Sequence, residues 1–273
     1  MTSSRYVHGY SPRESVRLGD QARTLAELLH ADEAYPAGAL VLEAGCGTGA
    51  QTVILARKNP AARFVAVDLA PASLAQARQA VQRAGLANVH CETADLLHLP
   101  FPDNTFDAVF VCFVLEHLSA PLRALTELRR VLRPGRPITV IEGDHGSAYF
   151  HPDSAVARKA IQCLVDLQKE AGGDALIGRR LYPLLREAGF ARVTVTPRVV
   201  YADASRPEMV EGFTRNTFNA MVEGIAGEVL RRGMMDALSW QQGIEDLHRT
   251  AGPNGVFNYT FFKARAEKPP APQ

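Results

Sequence analysis

The feature that most constrains this chain is a rhythm between residues 39 and 142. Short β-rich runs at 39–44, 63–68, 88–92, 106–113 and 137–142 alternate with stretches of helical periodicity. The runs, such as ALVLEA and FDAVFVCF, are almost continuously apolar. Strands of that kind are covered on both faces, which is the condition of a parallel sheet between helical layers. Parallel neighbours need crossovers, and repeated right-handed crossovers build an open α/β, doubly wound sheet. Such a sheet takes its ligands at the carboxyl ends of its strands.

The helical stretches carry their own start and stop signals. The stretch 48–58 begins at a glycine-rich turn and stops before Pro60, and 71–84 has Pro71 in its first turn and Gly85 past its end. The stretch 122–132 stops at Pro134-Gly135. Ahead of this core, Val16, Leu18, Ala22, Leu25, Leu28 and Leu29 recur at helical spacing, so 11–33 predicts one or two helices. Behind it, 155–171 and 181–188 read as helices, and 191–201 and 256–265 as strands. Between those strands, 202–253 is mostly helical in pattern. It holds Met209, Met221, Met234, Met235 and Trp240, with Phe213 and Phe218. Soft and flat side chains suit an adaptable pocket, and serve equally as a satellite core. The Pro-rich end, 267–273, is expected to be disordered.

Composition narrows the function. With 273 residues, 47% hydrophobic and 22% charged, the chain suits one large domain with elaborations. Thirty basic residues against 29 acidic ones leave a net charge of +1, so no nucleic-acid partner is expected. No apolar run approaches the roughly 18–20 residues that cross a bilayer, and residues 1–15 hold no apolar block. A cytoplasmic protein without membrane attachment is the expectation. Cys46, Cys91, Cys112 and Cys163 are scattered with no C-x-x-C pair, as reduced thiols would be.

The chemistry lies after the first strand, in Glu43-Ala-Gly45-Cys46-Gly47-Thr48-Gly49-Ala50. Gly45-x-Gly47-x-x-Ala50 formally satisfies the dinucleotide fingerprint, and Tyr259-x-x-x-Lys263 is a pair that short-chain dehydrogenases use. A nicotinamide oxidoreductase is therefore the rival. Two details oppose it. Tyr259 and Lys263 fall on a strand, where four residues span roughly 13 Å. Glu43 beside the glycine turn would repel a pyrophosphate and favour a cationic ligand. Asp68, closing the second run, can accept both hydroxyls of a ribose. Asp95, after the third, can accept from an adenine amino group between Leu69 and Leu96.

Together, Val41–Gly49, Val67-Asp68-Leu69, Ala94-Asp95-Leu96, 99–107, Leu115-Glu116-His117 and Leu132-Arg133-Pro134-Gly135 resemble the class I S-adenosylmethionine-dependent methyltransferases. The chain is similar to the small-molecule group related to quinone-biosynthesis C-methyltransferases. Arg136 departs from relatives that carry a second glycine there, at a turn far from the ligand. The resemblance implies a Rossmann-like sheet of seven mostly parallel strands, the last antiparallel and slotted beside the fifth. It divides the chain into an N-terminal helical cap (1–37), a core (38–201 with 254–266) and a helical lid (202–253). It implies S-adenosylmethionine as cofactor, held by Glu43, Gly45, Cys46, Gly47, Thr48, Gly49, Gln51, Asp68, Leu69, Ala94, Asp95, Leu96, Cys112, Phe113 and His117.

A sulfonium methyl is already electrophilic, so the protein must align the acceptor and take up any proton it loses. Glu116, after the fourth strand, resembles in position an active-site acid of fatty-acyl cyclopropane synthases and is the first candidate. His145 is the best-placed base in a polar loop expected after the fifth strand, 142–152. Tyr10 on the leading segment is a candidate for closing the pocket. A metal held by Asp144, His145 and His151 is conceivable in donor type, but no ligand spacing supports it and none is predicted; His151 reads better as a packing residue. The Asn/Asp-Pro-Pro-aromatic element of amine methyltransferases is absent after strand four. The expected acceptor is a small apolar or aromatic molecule, methylated at an indole C3, a quinol-like carbon or a phenolic oxygen. A non-catalytic chain that keeps the cofactor pocket as a scaffold is the remaining alternative, and the oligomeric state is left open.

Overall fold

The computed structural model describes residues 12–270. One sheet of seven strands, in the order β3-β2-β1-β4-β5-β7-β6, organises it. β1 (Leu40–Ala44), β2 (Arg63–Asp68), β3 (Val89–Thr93), β4 (Ala108–Cys112) and the first part of β5 (Pro137–His151) run parallel. β7 (Val256–Glu267) lies antiparallel between β5 and β6 (Ala191–Ala202). The chain order reverses between β1 and β4, which makes that junction the switch point where doubly wound sheets bind ligands.

Helices cover both faces: α1 (Pro12–His30), α2 (Ala50–Lys58), α3 (Pro71–Arg83), α4 (Pro121–Val131), α5 (Ala155–Glu170) and α6 (Leu181–Glu187). Neighbouring strand residues serve opposite layers. Val41 packs with Leu25, Leu29 and Leu164 on one face, while Leu42 packs with Leu125, Leu128 and Leu184 on the other. Between β6 and β7 run α7 (Pro207–Met209), a π-helical stretch from Val210 to Asn219, α8 (Ala220–Glu223), α9 (Ala226–Arg231) and α10 (Ala237–Arg249). Met221, Met235, Trp240, Phe213 and Phe218 join the core on the α1–α5 side, so this insertion packs on the sheet.

The expected loop 142–152 is a strand down to His151. Gly143, Asp144, Tyr149 and His151 pair with Phe261, Thr260, Asn258 and Val256, with a register irregularity between Asp144 and Tyr149. The glycines and polar residues that suggest a loop are overridden by the ladder partners β7 supplies. His145 therefore sits on a rigid element. His151 is exposed at the end of β5, not packed.

α1 is fastened to the sheet at its carboxyl end. Lys263 on β7, 2% exposed, donates to the Leu29 carbonyl at 2.8 Å and pairs with Asp32 and Glu33 at 2.6 Å. That role removes Lys263 from any pairing with Tyr259 in hydride chemistry.

Candidate active site

The glycine turn after β1 is built for close approach. Gly45, Gly47 and Gly49 all have positive φ (75°, 52° and 80°), where a side chain would be strained. A Cβ at Gly45 would press on Val114 and one at Gly49 on Ala77, whereas a Cβ at Gly47 would meet open space. Asp68 spans the mouth: its carboxylate accepts from the Gly47 and Ala70 amides, both at 2.8 Å. Thr48 and Ala50 lead into α2 between these groups.

Glu43 lies beneath the turn, 3% exposed, and its Oε2 has no hydrogen-bond partner among the described residues. Burial, reinforced by Asp68, pushes its pKa up to about 8. A buried carboxyl of this kind holds its proton until a cation arrives. Cys46 and Cys112 are buried thiols whose pKa burial raises, which leaves their main chain as the part that can face a ligand. Ala94 and Leu96 are buried, and Leu69 is 65% exposed across the mouth. Asp95 accepts from the Leu97 amide at 2.9 Å. Gln51 turns toward α1, where its Oε1 lies 2.6 Å from His30 Nε2.

After β4 the chain turns sharply at Phe113, a non-glycine residue with φ of 59°. Strain of this kind costs about 1–3 kcal/mol and persists where the surroundings over-determine it. Here the Phe113 amide donates to Ile141 at 2.9 Å. Glu142, fully buried, accepts from the Val114 and Leu115 amides at 3.0 and 2.7 Å. Burial, with the nearby Glu116, pushes the Glu142 carboxyl well above the usual range. Glu116 is buried, with Oε2 accepting from Gln168 Nε2 at 3.1 Å and Oε1 lying 3.5 Å from His117 Nε2.

These elements surround a pocket. Glu116, His117 and His145 line it with Phe113, Phe213, Phe218, Met221, Tyr259 and Phe261, and α1 closes it with Arg17, Leu18 and Gln21. His145 Nδ1 lies 2.7 Å from the Tyr259 hydroxyl, and Nε2 has no hydrogen-bond partner among the described residues. Burial lowers the His145 pKa, which favours the neutral imidazole. Gly143 makes room for this contact, because a Cβ there would collide with the Tyr259 hydroxyl.

The predicted residues thus fall into two groups. Glu43, the glycines, Asp68, Leu69, Ala94, Asp95 and Leu96 surround the switch point, while Phe113, Glu116, His117 and His145 face the adjoining pocket. Tyr10 lies outside the described residues. Asp144, His145 and His151 do not converge: Asp144 is gripped at both oxygens by Arg179 (2.6 and 2.7 Å). Among the described residues no cluster of three His, Cys, Asp or Glu suits a metal ion, and no helix is long and apolar enough to cross a membrane. Tyr259, Glu142 and Gln168 were not anticipated in these positions. For Tyr259 a signal existed: in the alternation Phe257-x-Tyr259-x-Phe261 all three point inward, and a buried phenol needs a polar partner.

The comparisons agree with this architecture. Residues 42–138 match a family model described as a methyltransferase domain. Demethylmenaquinone methyltransferase of Listeria monocytogenes is 30% identical over 173 residues, covering 57% of this chain and 71% of that protein. An uncharacterized 37.1 kDa protein in transposon TN4556 of Streptomyces fradiae is 34% identical over 238 residues, or 86% of this chain and 64% of its own length. The solved structure of the [4+2]-cyclase SpnF superposes with a TM-score of 0.55 at 24% identity, covering 93% of this chain and 81% of that one, a likeness of fold. The seven-stranded sheet with its glycine turn after β1 defines an α/β, Rossmann-like domain. The chain belongs to the class I S-adenosylmethionine-dependent methyltransferases, related to the quinone C-methyltransferases, and S-adenosylmethionine is that family's cofactor. It spans 64% of the Streptomyces protein and about a third to a half of several other curated relatives.

Proposed function

We propose that this protein methylates a small aromatic or apolar acceptor, at a carbon such as an indole C3 or a quinol-like carbon, or at a phenolic oxygen. The observation that carries the reading is His145: a buried imidazole with one nitrogen engaged by Tyr259 and the other without a hydrogen-bond partner among the described residues, in the wall of an aromatic pocket. The kinship with demethylmenaquinone methyltransferase supports a ring carbon as the target.

The residues present fit the cofactor. Glu43 would take its ammonium group, since a buried carboxyl with a raised pKa and an oxygen lacking a hydrogen-bond partner becomes favourable as a paired carboxylate. Asp68 would take the ribose hydroxyls, and Asp95 with Leu69 and Leu96 the adenine. Main chain at 45–49 and 112–113 would lie along the remainder, with Gln51 and His117 at the margins. When bound, S-adenosylmethionine supplies an electrophilic methyl group.

The chain's own residues do the rest. Phe113, Phe213, Phe218 and Phe261 stack an aromatic acceptor and exclude water, and holding it in line is worth up to about 7–11 kcal/mol. His145 Nε2 accepts the proton from an indole N–H, a phenol or an enol, which raises the acceptor's nucleophilicity by about 10²–10⁴ in rate. Tyr259 fixes the plane of that ring. Glu116, tethered by Gln168, stabilises the imidazolium that results. The insertion 202–253 serves as the cover of the pocket.

Calorimetry with S-adenosylhomocysteine and NAD, followed by a panel of indoles, phenols and quinols, tests the reading. Micromolar binding of S-adenosylhomocysteine, and a one-methylene mass gain on an aromatic acceptor, are expected. Binding of NAD alone would replace the reading with an oxidoreductase. Cofactor binding without turnover of any acceptor would leave a scaffold.

A further inference from the structure

We propose that Glu142 is a positioning residue for the cofactor: it caps the turn from Phe113 to Glu116 from within the sheet, and so fixes the main chain that meets the ligand's methionine portion. The inference rests on the methyltransferase reading and deepens it, adding a side chain that the transfer itself does not use. The short 3₁₀ turn Leu115–His117 starts from Val114, whose side chain offers no capping acceptor. An unpaired amide in the interior is costly, so the first amides of the turn need an acceptor from elsewhere. Glu142, 28 residues on from Val114, supplies it: one carboxyl oxygen accepts from the Val114 amide at 3.0 Å and from the Leu115 amide at 2.7 Å.

The turn so held borders both halves of the site. On the cofactor side Val114 packs against the glycine turn, where a Cβ at Gly45 would collide with it. On the acceptor side Phe113 and Glu116 line the pocket. The backbone at Phe113 has a φ of 59°, a strained conformation for a residue with a side chain. Two neighbours on β5 hold it there: the Ile141 carbonyl, which accepts from the Phe113 amide at 2.9 Å, and the Glu142 carboxyl. The second Glu142 oxygen is buried with no hydrogen-bond partner among the described residues. Burial and the nearby Glu116 favour the protonated form of Glu142. A neutral carboxyl still accepts both amides through its carbonyl oxygen, and it leaves the charge to Glu116. Glutamine copies that arrangement, whereas leucine removes it.

The test uses the full chain with two ligands, S-adenosylhomocysteine and 5′-methylthioadenosine, which keeps the adenosine and the sulfur but lacks the amino-acid portion. In calorimetry Glu142→Leu should bind S-adenosylhomocysteine at least about ten-fold more weakly than the wild type, and 5′-methylthioadenosine within about three-fold of it. Glu142→Gln should recover most of the lost affinity. In hydrogen exchange the Val114 and Leu115 amides should be faster in Glu142→Leu, with β1 and β2 still protected as the sign of an intact fold. Should Glu142→Leu fail to fold, the wild type alone decides: S-adenosylhomocysteine should slow exchange at those two amides, and 5′-methylthioadenosine should not. Unchanged affinity in Glu142→Leu, equal losses for the two ligands, or a Glu142→Gln variant as weak as Glu142→Leu overturns the proposal. So does equal protection of the two amides by both ligands. In each of these cases wild-type binding of S-adenosylhomocysteine keeps the methyltransferase reading; its absence would end both.

Discussion

His145 Nδ1 and the Tyr259 hydroxyl lie 2.7 Å apart, joining residues 114 positions distant in the chain. Both belong to adjacent antiparallel strands, and the contact exists because Gly143 presents no side chain beneath the phenol. With one nitrogen occupied, the imidazole has a defined orientation and a defined free nitrogen.

Activity should depend on pH through this histidine. Burial holds its pKa below the ordinary 6.5; His117 and Arg17 lower it further, while Glu116 and Asp144 oppose them. The neutral form is the base, so kcat/KM should rise with pH through an acid-range pKa and be flat near neutrality. His145→Gln should lower kcat by about 10²–10⁴, without the acid limb. Tyr259→Phe should lose less, about ten-fold, with its acid limb displaced. Full activity in His145→Gln on a proton-losing acceptor would remove the base from this site.

Gly143→Ala tests the same seat without touching a titratable group. The added methyl meets the Tyr259 hydroxyl, so the phenol must shift away from His145. Turnover should fall toward the Tyr259→Phe level while S-adenosylhomocysteine affinity is kept. Wild-type kinetics in this variant would show the contact to be dispensable.

Glu43 should couple cofactor binding to protons. Its pKa is raised from 4.5 to about 8, chiefly by burial and then by Asp68. A raised folded pKa means that the unliganded fold binds the extra proton between those values, so its stability falls as pH climbs through that window. A cationic ligand favours the carboxylate, so binding should release a proton below about pH 8 and tighten as pH rises toward it. Calorimetry in buffers of different ionisation enthalpy measures this release. Glu43→Gln should abolish it and flatten the stability profile.

Asp68→Ala should weaken S-adenosylhomocysteine binding by roughly 1–3 kcal/mol, about 10–100-fold. Its oxygens also hold the Gly47 and Ala70 amides, so a modest fall in melting temperature should accompany the loss. Unchanged affinity would refute the ribose assignment.

Lys263→Met leaves Asp32 and Glu33 without their buried partner. Arg265 still faces both carboxylates and Arg198 still faces Asp32, so the loss should be about 1.5–3 kcal/mol, read as a lower denaturation midpoint. Because Lys263 also anchors the end of α1, the pocket wall carrying Arg17 should loosen, raising KM for the acceptor.

Much of the fold is written locally. Apolar runs such as 39–44 and 106–113 can only be strands buried on both faces, and Pro71 and Gly85 mark a helix from its own residues. Glycines and carboxylates at successive strand ends likewise carry their meaning in place, so the crevice around Glu43, Gly47 and Asp68 was legible. The acceptor side was not. Residues 142–151 have the composition of a loop and become strand only because β7 arrives beside them.

What the sequence determined by itself is therefore the parallel sheet, its helical layers and the glycine turn after β1, because those depend on periodicity and on short-range chemistry. The tertiary structure alone decided that Tyr259 meets His145, and that a π-helical stretch brings Phe213 and Phe218 against them. These partners lie on different elements, and only the register of β5 against β7 and the packing of the insertion bring them together.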